Sequence, residues 1–437
     1  MNTNNIESFD LASLRKAYIR TLGNTLERKA LAQALRSVPN VTNEHLEVSD
    51  MDRIVLGEAL QEEVRVPHPA AVELYYAVVG AMHRRYSSTG QSDASLLRVM
   101  HGLPTADSPN IVHAELLRTG ASIGLIGPTG SGKTTLLASI AGLFPSGVRH
   151  SNVIPGMEVR QIPMIYIALT GDSTVKNLLL RIIDAIGQHV GVDTHIERLL
   201  SGRVSGDRLK FEAKRLCIQF GVGVIIVDET QSMTSSRAGG SELVTNELLL
   251  IRDRIGIPLV FAGTFRMMAL LASDARMTRR VSQNGLIPIS YSADANDKYW
   301  DMLCKARWNS LVLRKKGALT PNIVAALYDC TQGMTWALTA ILCKAQRRAI
   351  LTKKETLSAE DILHVFTHDA TEMHDLVRAM ASRDQGLLAR YADLYHPSFD
   401  RCRAIQKGNE MDLLRRLGIQ PLSTDAASSA PELDQAA

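Results

Sequence analysis

The pattern of apolar and polar residues changes twice along the 437-residue chain. From the start to about Asn110, Leu and Ala recur at helical spacing among Lys and Arg, and Pro69 precedes a second segment with the same period. This spacing predicts helices, because residues three and four positions apart share one face of a helix. We therefore predict a helical N-terminal region over residues 1–110.

Between Ile111 and about Ile289 the pattern becomes short β-branched runs separated by longer helical segments. The runs are ASIGLIG, MIYIAL, VGVIIVD, PLVFAG and GLIPIS. Continuous apolar runs that alternate with helices predict a parallel sheet covered by helices on both faces. The expected fold class is α/β, with a core domain over residues 111–290.

Helical patterns return after this core, and strand signals disappear. They predict a small helical lid over residues 291–371, in which Ser358 and Asp361 have the spacing of a capping box. Residues 372–437 predict a C-terminal helical extension. It ends in a small, acidic segment without an apolar period, for which we expect disorder.

Composition excludes several classes of protein. The formal net charge is only +4, with 22% charged and 45% hydrophobic residues, which excludes disorder over most of the chain and a globally polybasic chain. Five scattered cysteines without a C-x-x-C pair argue against a disulfide framework or a zinc knuckle. No apolar run approaches the roughly 20 residues of a membrane helix, and the N-terminus does not have the pattern of a signal peptide. We expect a cytoplasmic protein that does not contact membranes.

A phosphate-binding motif directly follows the first apolar run of the core. Gly127-Pro128-Thr129-Gly130-Ser131-Gly132-Lys133-Thr134 matches G-x-x-x-x-G-K-[ST] at every position. In such a loop, backbone N–H groups surround the β-phosphate of ATP, Lys133 neutralises phosphate oxygens, and the Thr134 hydroxyl binds Mg²⁺. The candidate nucleotide-binding residues are Gly127, Pro128, Thr129, Gly130, Ser131, Gly132, Lys133, Thr134, Thr135 and Asp228.

Two carboxylates end the apolar run VIIVDE, about a hundred residues after the loop. Asp228 would lie at the tip of the strand and, with Thr134, order Mg²⁺ and its water shell. Glu229 is then the candidate general base, because a carboxylate near the γ-phosphate can polarise a water molecule. That chemistry favours ATP hydrolysis over transfer to another acceptor. The alternative is a solvated pair of acids at a strand end.

Further catalytic candidates follow in the chain. Thr264 ends the run PLVFAG and would lie beside Asp228 if the two strands are neighbours, which suits a sensor of the γ-phosphate. An N-cap role for Thr264 is also possible, and the two roles do not exclude each other. Arg276, Arg279 and Arg280 precede the last strand. The last two are the preferred candidates for a guanidinium that reaches the γ-phosphate of a neighbouring subunit, although surface arginines are usually only solvated.

The order of these motifs resembles that of an AAA+ ATPase. More narrowly, LIGPTGSGKTTLL, VIIVDET, LVFAGT, the following RR and LIPISY are similar to transposition regulators of the TnsC/TniB kind, over residues 111–367. The resemblance implies subunits that bind ATP and assemble as a ring or helical filament on double-stranded DNA. It also implies that they receive a target-selection protein of the TniQ/TnsD type and recruit the transposase.

The resemblance also places DNA contacts in the region after MIYIAL. Ser173, Thr174 and Lys176 are the candidates, because hydroxyl and ammonium groups donate hydrogen bonds to phosphates without needing a base edge. The alternative is an ordinary N-capped surface helix.

The lid departs from the family pattern. Many AAA+ lids carry an arginine after a Gly-x-x spacing, whereas this chain has Gly333-Met334-Thr335-Trp336. Two other functions stay open. One is a different AAA+ adaptor, such as a replication initiator or helicase loader, which shares the nucleotide-site residues. The other is a small-molecule P-loop phosphotransferase, against which Glu229 beside Asp228 and the arginines before the lid argue.

Overall fold

The computed structural model describes residues 11–87, 121–154, 157–169, 174–191, 193–202, 204–230, 257–265, 285–382, 388 and 391. The predicted acidic C-terminal segment and the end of the predicted N-terminal region lie outside these ranges. The N-terminal region forms helices α1 (Leu11–Thr21), α2 (Arg28–Ala34), α3 (Asn43–Glu47), α4 (Asp50–Glu63) and α5 (Ala71–Ser87).

The core contains the strands and the helices that connect them. The strands are β1 (Ser122–Ile126), β2 (Val148–Ile154), β3 (Met157–Gln161), β4 (Met164–Ala168), β5 (Val224–Asp228), β6 (Leu259–Gly263) and β7 (Leu286–Pro288). The helices are α6 (Lys133–Ala141), α7 (Val175–Val190), α8 (Thr194–Ser201) and α9 (Gly206–Gln219). Five strands form a parallel sheet in the order β4-β5-β6-β1-β7.

The five predicted apolar runs are the five strands of this sheet. Every residue of β1, β5 and β6 is buried. Because successive side chains point to opposite faces of a strand, both faces of the sheet centre are covered. The α/β fold class is therefore confirmed.

The antiparallel pair β2–β3 was not predicted. Its strands read VRHSNVI and MEVRQ, in which polar residues interrupt any apolar run, and their register shifts between His150 and Ile154. The pairing is a contact between strands that neither strand's own composition signals.

The lid is helical, as predicted. Its helices are α10 (Lys298–Asn309), α11 (Pro321–Thr331), α12 (Thr335–Leu351) and α13 (Ala359–Asp369). A further helix, α14 (His374–Ser382), lies in the segment predicted as the C-terminal extension. The predicted capping box is present at the start of α13, where Ser358 and Asp361 bond to each other's backbone N–H groups. No helix in the described part of the chain is long and apolar enough to cross a membrane.

The N-terminal region contributes to two hydrophobic cores. Leu14, Leu31 and Leu74, from α1, α2 and α5, are buried together with the strands of the sheet. Ile54 and Leu60 of α4 are instead buried with the lid helices. The chain thus passes from the lid core to the sheet core between α4 and α5. The division of the chain into four segments at residues 110, 290 and 371 stays a prediction.

A buried ion pair fixes α4 to the lid. Arg53 is 0% exposed, and its Nη2 and Nη1 lie 2.5 and 2.8 Å from the two carboxylate oxygens of Glu355. Nη2 also donates to Asp50, at 2.7 Å. Hydrogen bonds from Arg53 hold the pKa of Glu355 below its usual value.

Candidate functional site

The phosphate loop connects β1 to α6 and depends on glycine at two positions. Gly130 and Gly132 have φ angles of 73° and 89°, in the left-handed region that glycine adopts without steric penalty. Gly132 is the N-cap of α6, so the positive end of the helix dipole faces the loop. A Cβ atom on Gly130 would collide with the ring of Trp336 from the lid, so this glycine also permits a close contact.

Lys133 lies inside the loop. Its side chain is buried, and Nζ donates hydrogen bonds to the carbonyl oxygens of Gly127 at 2.9 Å and Pro128 at 2.8 Å. The ammonium group is therefore held where the loop N–H groups and the helix end also favour an anion. The buried Ser131 hydroxyl has no hydrogen-bond partner among the described residues, which leaves a donor for a ligand.

Asp228 joins three parts of the site. It is the last residue of β5 and 1% exposed. Its Oδ2 accepts hydrogen bonds from the Thr134 hydroxyl at 2.6 Å and the Tyr166 phenol at 2.5 Å, and its Oδ1 accepts the N–H of Glu229 at 2.8 Å. Two hard oxygen groups, from Asp228 and Thr134, thus lie together beside the phosphate loop, which fits Mg²⁺.

Sequence reasoning missed Tyr166. This residue of β4 is an interior position of an apolar run, and only the pairing of β4 with β5 brings its hydroxyl to Asp228. Burial and the neighbouring Asp228 carboxylate raise the pKa of the Tyr166 phenol. The phenol therefore stays a hydrogen-bond donor above its ordinary titration range.

Glu229 follows β5 and is exposed to solvent. Its φ angle is 58°, a left-handed conformation that is uncommon for residues other than glycine. Thr264 follows β6, which pairs with β5 in parallel, and is 2% exposed. The carboxyl ends of neighbouring strands therefore bring Glu229, Thr264 and Asp228 to one edge of the sheet.

A cavity of about 310 Å³ lies at this edge. Lys133, Thr134, Glu229 and Thr264 line it from the core, and Arg307, Thr335, Trp336 and Thr339 line it from the lid. It therefore combines phosphate-binding groups with the candidate base and the candidate sensor. The arrangement suits a triphosphate whose terminal phosphate points toward Glu229 and Thr264.

A second cavity of about 430 Å³ adjoins the first and shares Arg307 and Trp336 with it. Its wall includes Leu136 of α6, His68 from the segment between α4 and α5, and Tyr299 of the lid. Rings and apolar side chains of this kind suit a base and a ribose. Burial lowers the pKa of His68 to about 4, so its ring is neutral at pH 7.

The lid also contacts the loop through one hydrogen bond and one aromatic ring. The hydroxyl group of Tyr291, which follows β7, donates a hydrogen bond to the carbonyl oxygen of Thr129. Trp336 occupies the position of the Gly-x-x-Arg arginine found in many AAA+ lids and packs on Gly130. The departure at Trp336 is visible in the sequence, whereas no motif indicates the contact of Tyr291 or the position of Arg307.

The structure describes only part of the remaining predicted set. Ser173, Arg276, Arg279 and Arg280 lie outside the described residues. The Thr174 hydroxyl caps α7 by accepting the N–H of residue 177 at 3.2 Å, as the alternative interpretation expects. Lys176, in the first turn of α7, is exposed to solvent.

The parallel sheet, the loop after β1 and the acidic pair after β5 define an AAA+ P-loop fold. The family model described as bacterial TniB protein matches residues 108–291. Over these residues, the match confirms the resemblance to the TniB family that the motifs indicated. No curated protein sequence matches the chain.

Several solved structures share a distant similarity with the chain. A Walker-type ATPase of Pyrococcus abyssi is 13% identical, with a TM-score of 0.39, 68% of this chain covered and 82% of that one. Drosophila ORC bound to DNA is 12% identical, with a TM-score of 0.38, 81% of this chain covered and 72% of that one. Cdc6p from Pyrobaculum aerophilum is 15% identical, with a TM-score of 0.39, 64% of this chain covered and 65% of that one. Scores this low support no conclusion about function.

Proposed function

We propose that this protein is an ATP-dependent regulator of DNA transposition that assembles on double-stranded DNA and links a target-selection protein of the TniQ/TnsD type to a transposase. One observation carries the nucleotide part of the proposal. The phosphate loop, Glu229 and Thr264 line a single cavity beside the buried Asp228, at the edge of a core that matches the TniB family model.

The residues present fit ATP and Mg²⁺. The loop N–H groups and Lys133 would hold the phosphates, and Thr134 with Asp228 would hold Mg²⁺. When bound, Mg²⁺ would neutralise charge on the phosphates. Glu229 is exposed beside the same cavity and would accept a proton from the attacking water, while Thr264 would donate a hydrogen bond to the terminal phosphate.

The proposed assembly depends on residues beyond this cavity. Arg279 or Arg280 of a neighbouring subunit would stabilise the charge that develops on the phosphates, so ATP would join subunits together. Lys176 and Thr174, at the exposed start of α7, would contact DNA phosphates. The transposase and the target-selection protein are proposed because residues 108–291 match the TniB family model.

Light scattering with double-stranded DNA tests the proposed assembly. The signal should rise on adding ATP and fall as NaCl is raised, because contacts with DNA phosphates weaken with salt. Lys133→Ala is the matched control that should not assemble. Assembly that is indifferent to nucleotide would contradict an ATP-dependent scaffold.

Mixed variants test whether an arginine acts between subunits. Arg279→Ala or Arg280→Ala should bind ATP, but its rate of hydrolysis should fall by about 10³-fold or more. Mixing this variant with Lys133→Ala should recover part of the hydrolysis, because some interfaces then pair an intact loop with an intact arginine. If the two variants assemble together without any recovery, the arginine does not act across the interface.

A retention experiment tests the partner. The wild-type protein, assembled with ATP on DNA, should retain a purified transposase with an integrase-type catalytic domain, and Lys133→Ala should not. A replication-initiator or helicase-loader function predicts no retention of such a transposase.

A further inference from the structure

Arg307 lies at the boundary between the two cavities of the nucleotide site. It belongs to the lid helix α10, is 8% exposed, and lines both the phosphate-side cavity and the base-side cavity. Its guanidinium is thus a positive charge next to the space that would hold a nucleotide. Neither the motifs nor the family match indicates this residue.

The charge of Arg307 is only partly compensated. Its Nη1 donates to the backbone oxygen of Gln61 in α4 at 2.8 Å, and the Gln61 side-chain amide donates back to the Arg307 carbonyl at 2.8 Å. Among the residues that the structure describes, its Nε has no hydrogen-bond partner and no carboxylate forms an ion pair with it. Burial lowers the pKa of Arg307, as expected for a poorly solvated cation.

Arg53 provides a direct comparison. It is also buried and also connects α4 to the lid, but Glu355 and Asp50 neutralise it and it lines neither cavity. The buried arginine that connects α4 to the lid outside the two cavities is therefore neutralised by carboxylates of this protein. Arg307 has no counter-ion among the described residues, and a buried charge without one is unfavourable unless an anion completes its environment.

We propose that Arg307 binds the nucleotide phosphates from the lid of the same subunit, and that Gln61 of the N-terminal region is the positioning residue that holds the guanidinium there. The inference rests on the proposed function, since it takes the two cavities as the nucleotide site. It gives the lid a phosphate-binding cation although Trp336 stands where many lids have arginine. It also makes α4 part of the response to nucleotide.

Equilibrium binding of labelled ATP tests this inference without relying on hydrolysis. Arg307→Met keeps most of the side-chain volume and removes the charge, so affinity for ATP should fall by about 10- to 100-fold. Arg307→Lys should recover part of the loss because it restores the charge. Gln61→Leu should cause a smaller loss, of about threefold, because it removes the side-chain contacts with Arg307 but keeps the backbone oxygen that accepts from Nη1.

A salt titration separates phosphate binding from a packing role. The affinity of Arg307→Met for ATP should fall less steeply with NaCl than that of the wild type, because one cation no longer faces the phosphates. Arg53→Met is the matched control: it should lower thermal stability but leave the ATP affinity within about twofold. Melting curves without nucleotide show whether each variant is folded.

The outcomes separate this inference from the proposed function. If the wild type binds no ATP, or Lys133→Ala binds it equally well, the nucleotide site itself is wrongly assigned. If the wild type binds and Lys133→Ala does not, but folded Arg307→Met binds ATP like the wild type, only the role of Arg307 is overturned. Equal losses in Arg307→Met and Arg53→Met would likewise overturn it, since lid stability would then explain both.

Discussion

Gly130→Ala should be the more damaging of two matched substitutions in the phosphate loop. Gly130 and Gly132 both have positive φ angles, so alanine at either position costs about 1–2 kcal/mol of backbone strain. The two glycines differ in their surroundings. A Cβ on Gly132 meets no atom within 4 Å, whereas a Cβ on Gly130 collides with the ring of Trp336.

The collision adds an overpacking cost of about 1–3 kcal/mol at Gly130 alone. Gly130→Ala should therefore lower the free energy of unfolding by about 2–5 kcal/mol, and Gly132→Ala by about 1–2 kcal/mol. In a Trp336→Ala background the collision is gone, so Gly130→Ala should cost only about 1–2 kcal/mol.

Urea denaturation followed by circular dichroism measures all four free energies of this double-mutant cycle. The interaction energy between positions 130 and 336 should be about 1–3 kcal/mol, with the double variant more stable than the sum of the single effects predicts. Equal destabilisation by the two glycine substitutions, or no relief from Trp336→Ala, would refute the contact between the lid and the loop.

Three further substitutions probe the site and the lid. Tyr166→Phe removes a donor to Asp228, so phosphate release at limiting Mg²⁺ should fall by about 3- to 10-fold while ATP binding is unchanged; an unaltered Mg²⁺ dependence would argue against that role. Glu229→Gly removes left-handed strain and should raise the free energy of unfolding by about 0.5–1 kcal/mol while abolishing hydrolysis, and unchanged stability in urea would count against the strain. Glu355→Gln leaves Arg53 buried without its carboxylate and should cost about 3 kcal/mol in urea denaturation at pH 7. Because Arg53 lowers the pKa of Glu355 from 4.5, the difference in free energy of unfolding between the wild type and Glu355→Gln should be complete above pH 4.5. It should disappear as the pH falls through the lower pKa that Glu355 has in the folded state. A difference that does not change with pH would contradict the ion pair.

Continuous apolar runs made the sheet predictable, because a strand buried on both faces has few polar residues. The phosphate loop was predictable for a different reason: its backbone conformation requires glycine at fixed positions, and Gly130 and Gly132 satisfy it. The β2–β3 pair was not predictable, since its strands contain mostly polar residues and their pairing is a long-range property.

The contacts that connect separate parts of the site also escaped prediction. Tyr166 reaches Asp228 only because β4 pairs with β5 so that Ala168 lies opposite Asp228. Tyr166 is two residues before Ala168 and therefore lies on the same face of the sheet as Ala168. Gln61 and Arg307 are 246 positions apart in sequence. Their contact depends on α4 joining the lid core, and helical periodicity shows that α4 has a buried face without showing which element covers it.

The most direct test of the nucleotide site compares ATP binding and phosphate release in the wild type, Lys133→Ala and Glu229→Gln. Lys133→Ala should bind no ATP, because the cation held inside the loop is gone. Glu229→Gln should bind ATP like the wild type and release no phosphate, because only the proton acceptor is lost. Wild-type turnover in Glu229→Gln, or wild-type binding in Lys133→Ala, would contradict the assignment of this site as the one that binds and hydrolyses ATP.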